Sequence, residues 1–108
     1  MPKRIRKTAA RTDQRNVPLV LPADLGVEQA QAVYTDLRAR VGETATVVID
    51  GAAASRIHSA VLQLLCMFWR ERDAAGLPTR WQAASPELRA AAALLGVDRM
   101  IQLSAESS

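Results

Sequence analysis

Three strand-like runs alternate with three helix-like runs over residues 17–103, an order that points to parallel strands joined by crossover helices. The clearest strand is Thr44-Ala45-Thr46-Val47-Val48-Ile49-Asp50, β-branched and bounded by Gly42 and Gly51. Its Val47-Val48-Ile49 stretch does not alternate, which predicts a strand covered on both faces. Val17-Pro18-Leu19-Val20-Leu21 reads as a shorter strand at a sheet edge or beginning at Pro18, because proline cannot donate to a central ladder. Thr79-Arg80-Trp81-Gln82-Ala83 is the third, with Trp81 turned to the core and Arg80 and Gln82 to solvent.

The helices are marked by spacing and by their ends. Between Val27 and Val41, apolar Val27, Ala30, Val33, Tyr34, Leu37 and Val41 recur at three- and four-residue intervals. Asp24 and Gly26 offer start chemistry, Glu28 suits the first turn, and Gly42 follows the end. The second helix runs roughly from Ser59 to Ala75 and closes at Gly76. Leu62, Leu65, Cys66 and Trp69 form its core stripe, with Val61, Leu64 and Phe68 alongside. Ala60 to Trp69 is apolar at nine of ten positions, more than one core-facing stripe requires. Met67 and Phe68 therefore fit either the core or an adaptable protein-binding surface. Arg70-Glu71-Arg72-Asp73 reads as the polar end. Ser85-Pro86-Glu87 is a helix start, with Ser85 as N-cap and Pro86 in the first turn, and that helix runs to Gly96. Met100, Ile101 and Leu103 are expected to pack as a last short element.

The whole chain is 108 residues, the size of one domain. Residues 1–16 hold Lys3, Arg4, Arg6, Lys7, Arg11 and Arg15 against Asp13, a net +5, while the remainder carries a net −2. The division expected is a disordered basic tail over 1–16, a domain over 17–103 and a polar end over 104–108. Such a tail gives solubility, and it could also attract nucleic acid or an anionic membrane by counterion release. Its Arg-richness also allows an amphipathic transit peptide. One cysteine excludes an internal disulfide framework and fits a reducing, cytoplasmic setting. The longest apolar run is too short to span a membrane.

Little in the chain suggests catalysis. His58 and Cys66 are the only histidine and cysteine, and eight residues apart they do not match a zinc-site spacing. Cys66 falls on the buried stripe, Gly51 stands alone without a P-loop lysine, and the acids are scattered. The expectation is a non-enzyme with no metal and no cofactor. The informative segment is Ile49-Asp50 through Ile57-His58-Ser59-Ala60-Val61-Leu62, which sets a hydroxyl between a buried strand and a long helix. Ser59 there suits an N-cap, and a phosphate on it would sit at the positive end of the helix dipole.

This segment resembles the central signature of STAS domains, the family of bacterial anti-sigma factor antagonists. Ile49-Asp50, Ile57 and His58-Ser59-Ala60-Val61-Leu62 stand at the signature's places, with His58 where the family has aspartate and Val61 where it has glycine. Downstream, Gly76, the Trp81 strand, Ser85-Pro86-Glu87-Leu88 and Leu94-Leu95-Gly96-Val97 resemble the closing strand and helix. Ser55-Arg56-Ile57 with Ser59-Ala60 is also similar to the STAS subunit of the bacterial phospholipid-transport ABC complex, and Val61-Leu62-Gln63-Leu64-Leu65 to chemotaxis-linked STAS proteins. The resemblance implies a STAS-like α/β domain that binds another protein through the loop and first turns of the second helix. It implies Ser59 as phosphoacceptor in a partner switch, with Arg56, Ile57, His58 and Ser59 in the contact and Met67 and Phe68 added from the apolar helix. The partner would be an anti-sigma factor or serine-kinase-like protein, or alternatively the ATPase subunit of the transporter bound constitutively. Nucleic acid or anionic lipid would be met only through residues 1–16.

Overall fold

The run that reads most clearly as a strand, Thr44 to Asp50, supplies the middle strand of the three-stranded sheet. The computed structural model describes residues 17–103, and the expectations for the basic N-terminal segment and the polar C-terminal residues lie outside them. In chain order the elements are β1 (Leu19–Val20), β2 (Asp24–Leu25), α1 (Ala30–Arg40), β3 (Val47–Gly51), β4 (Arg56–Ile57), α2 (Ser59–Ala74), β5 (Thr79–Ala84) and α3 (Pro86–Leu95). β1, β3 and β5 form one parallel sheet in that order, and β2 and β4 form a second parallel pair. Leu19 lies opposite Ile49, and Ile49 opposite Trp81. A bulge after Ile49 then brings Asp50 opposite Ala83.

The alternation of β3 corrects one expectation. Val47, Ile49 and Gly51 are buried, but Val48 and Asp50 are only half-buried. Successive strand residues point to opposite faces, and the core lies against one of them. The other face carries Val20, 62% exposed, with exposed Arg80 and Gln82. On the inner face Trp69 of α2 stacks on Trp81 at 5.1 Å, and Trp81 Nε1–H donates to the Ile101 carbonyl at 2.6 Å. That bond ties down the last segment, where Ile101 and Leu103 are buried and Met100 is exposed. Gly51 is required by close approach: a Cβ there would stand 2.7 Å from Leu88 Cδ2 and 3.0 Å from the Trp81 ring.

Helix ends follow the sequence in one case and depart from it in another. Ser85 caps α3 as expected, its hydroxyl oxygen accepting from Leu88 N–H at 3.0 Å. The helix expected from Val27 begins later, because residues Val27–Gln29 form a 3-10 turn without a side-chain cap. Asp24 belongs to β2, and its Oδ1 accepts from Gly26 N–H at 3.1 Å. Val27 and Tyr34 are exposed, so the core face of α1 narrows to Val33 and Leu37.

The polar end of α2 contains the largest departure. Arg72 is fully buried. Its Nε–H donates to Thr79 Oγ1 at 2.7 Å, and its Nη groups donate to the carbonyls of Arg40, Val41, Glu43, Ala45 and Pro78 at 2.6–3.2 Å. The guanidinium thus plugs the carbonyl end of α1, where the helix dipole favours a cation, and joins the starts of β3 and β5. Its carbon lies 5.7 Å over the Phe68 ring.

Candidate functional site

The short β2–β4 pair fixes the loop that leads into α2. Ser55 and Arg56 both donate their N–H groups to the Ala23 carbonyl, at 2.9 and 3.1 Å, and Ser55 Oγ reaches the same oxygen at 3.2 Å. His58 N–H donates to the Leu25 carbonyl at 2.9 Å. At the loop's other end, Asp50 Oδ1 accepts from Ala52 N–H at 3.0 Å. Ala54 is buried there, with its carbonyl accepting from the Ser85 hydroxyl. Backbone groups, helped by the Ser55 hydroxyl and the Asp50 carboxylate, therefore hold the loop.

His58, and not Ser59, caps α2. Its backbone is extended (φ −86°, ψ 145°) and its Nδ1 accepts from Ala60 N–H at 3.1 Å. Its carbonyl accepts from Val61 and Leu62 at 3.0 and 3.3 Å, completing the turn. Ser59 is the first helical residue and is exposed. This corrects the expectation of an N-cap serine: the ring nitrogen has taken the role that a hydroxyl commonly plays. No acidic residue stands in the first turn of α2.

Arg56, Ile57 and His58 line one cleft of about 200 Å³, closed on the far side by Gly26, Val27 and Glu28. Ile57 is half-buried, while Arg56 and His58 are exposed. Arg56 Nε stands 4.0 Å from Asp24 Oδ1, with both side chains well exposed, so solvent screens that pair and it adds little. The contribution of residues 26–28 was not evident in the sequence. The only local sign is the Asp24–Gly26 turn, which places Val27 beside β4.

Met67 and Phe68 lie elsewhere. At 1.5 Å per residue, Met67 is about 12 Å along α2 from Ser59. It is 45% exposed on the rim of a separate groove between α1 and α2, a cavity of about 80 Å³ among Tyr34, Leu37, Val41 and Leu64. Arg38 and Glu71 close its mouth at 3.7 Å. Phe68 is only 3% exposed, edge-on to Trp69 at 6.2 Å and covered by Arg72. It is a core residue forming the groove's floor, which corrects its expected place in a surface contact.

Cys66 is buried, and burial pushes its thiol up, opposed by the nearby Arg70 charge. A thiol held in its neutral form is a poor nucleophile. Among the described residues, no three His, Cys, Asp or Glu side chains group as metal ligands. No described helix is long and apolar enough to cross a membrane. The described residues form a small α/β domain in which Arg56, His58 and Ser59 stand exposed at the start of α2. Compared with known proteins, the chain matches no family model, no curated protein and no solved structure.

Proposed function

We propose that this chain is a STAS-type regulator that works by binding another protein rather than by catalysis. Its docking face is the 55–59 loop and the first turn of α2, and Ser59 is the hydroxyl through which binding is switched. The observation that carries this reading is the division of labour between two neighbours. His58 closes the helix, so the exposed Ser59 hydroxyl has no capping role to play. A phosphate on Ser59 would add about two negative charges at the positive end of the α2 dipole, where no acid competes. The domain would stay folded while its docking face changed sign.

The test is a pull-down with wild type, Ser59→Ala and Ser59→Asp, with mass spectrometry of bait and captured proteins. An aspartate at this first helical position is stabilised by about 0.3–1 kcal/mol, so its melting temperature should not fall. The expected outcome is a kinase-like partner lost with Ser59→Asp, together with phosphate on Ser59 of the wild type. A partner held equally by all three, with Ser59 unmodified, would sink the switch and favour a constitutive subunit of a lipid-transport ATPase.

A further inference from the structure

We propose that His58 is a proton-operated cap: as neutral imidazole it closes the first turn of α2, and on protonation it releases that turn and turns toward Glu28 across the cleft. The consequence for partner docking rests on the function proposed above, whereas the mechanism rests on the cap geometry alone. Ala60 N–H donates to His58 Nδ1 at 3.1 Å. That nitrogen accepts only while it carries no proton, because both ring nitrogens of an imidazolium are donors. A proton on Nδ1 would therefore set one N–H against another. It would also place a positive charge at the positive end of α2, a turn that contains no acid to offset it.

The surroundings give the released ring a destination. Glu28, on the 3-10 turn, lines the same cleft as His58 and has no ion-pair partner among the described residues. The cleft's volume of about 200 Å³ leaves space for the ring to rotate. The other charged groups on the surrounding elements are Asp24 of β2, already facing Arg56 of β4 at 4.0 Å, and Glu87 and Arg89 on α3, which packs against β4. Asp24 and Glu28 favour the cation and Arg56 opposes it, so the cleft with neutral His58 has room for one more positive charge. The two arrangements differ in whether the backbone beside Ser59 is closed or open, which is the surface a partner would read.

His58 is the chain's only histidine, so no second imidazole can account for a change at this cap. Amide hydrogen exchange by NMR on the full chain at pH 7.5 and 5.5, corrected for intrinsic exchange, tests the cap directly. Protection of the Ala60 amide should fall about fivefold at pH 5.5, the usual worth of one lost cap, while Ile49 in β3 stays unchanged. In His58→Asn, whose side chain can still cap and does not titrate, Ala60 protection should be the same at both pH values. Equal protection in the wild type at the two pH values would overturn the proposal, as would a fall that persists in His58→Asn. No partner is present in this measurement, so its failure is separate from any failure of Ser59 to control docking.

Discussion

Replacing Arg72 by methionine keeps the length and most of the volume of the side chain but removes every donor. Six acceptors lose their partner: Thr79 Oγ1 and the carbonyls of Arg40, Val41, Glu43, Ala45 and Pro78. Pro78 is exposed and recovers water, while the other four carbonyls belong to half-buried residues and recover it only in part. Each buried polar group left unpaired costs about 1–3 kcal/mol, and relaxation of the two loops returns some of that. The net loss should be about 3–5 kcal/mol, the range seen when one member of a buried charged network is deleted. That is a large share of the 5–15 kcal/mol, roughly, that holds a domain of this size together. At about 4–8 °C per kcal/mol, the midpoint should drop by roughly 12–40 °C. Burial pulls the guanidinium below its ordinary range and the Glu43 carboxylate opposes that shift; arginine side chains in proteins keep their proton. Lysine keeps that charge but has three donors on one nitrogen, which can meet about half the acceptors. Arg72→Lys should therefore lose about 2 kcal/mol. Urea unfolding of the three proteins measures both differences. A methionine variant within about 1 kcal/mol of wild type would refute the clamp. Equal losses for lysine and methionine would refute the claim that charge and donor count both matter.

Gly51→Ala should destabilise by about 1–3 kcal/mol, since its Cβ meets Leu88 Cδ2 at 2.7 Å and the Trp81 ring at 3.0 Å. Combined with Leu88→Ala the two losses should not add, and simple additivity in thermal melts would reject the steric account. The Cys66 thiol is raised by burial, so the native state holds its proton more tightly than the unfolded chain. Its stabilising effect is therefore complete below the unfolded thiol value of about 8.5 and drains away as pH rises above it. Urea midpoints from pH 7 to 10 should fall less steeply for Cys66→Ala than for wild type, and parallel curves would contradict this.

What could be read from the sequence was whatever carries a period or a cap. β3 announced itself by β-branching between glycines, α2 by its apolar stripe, and α3 by Ser85-Pro86-Glu87. The two-residue strands β2 and β4 are too short for any period, although they hold the loop on which the candidate site depends. Arg72 was hidden for a different reason. Its acceptors are mainly backbone carbonyls, which leave no mark in the amino-acid order, so an arginine beside Arg70 and Glu71 looks like a solvated helix end. Phe68, which the sequence left between core and surface, is core, with Arg72 over its ring. At the site itself, the run of Arg56, Ile57, His58 and Ser59 was legible as one segment, in which the structure exposes all but the half-buried Ile57. The exchange of roles between His58 and Ser59 was not legible, because imidazole is an uncommon cap and depends on a ring orientation that only the fold supplies.

Among the described residues every strand pair joins positions about thirty apart: Leu19 with Ile49, Asp24 with Arg56, Val47 with Thr79. None is a hairpin, so no part of either sheet can close by a local turn while the chain is being made. Loop closure is paid in entropy before pairing returns anything, which slows folding and leaves strand edges open in the meantime. The helices, whose contacts are local, are the parts able to form first. Arg72 then joins this same long circuit, because it bonds carbonyls 27–32 residues behind it and Pro78 and Thr79 just ahead. The cation is locked in only when the end of α1, the approach to β3 and the start of β5 have met. The site loop, hung from Ala23 across a similar span, gains its final shape at that late moment rather than from its own sequence.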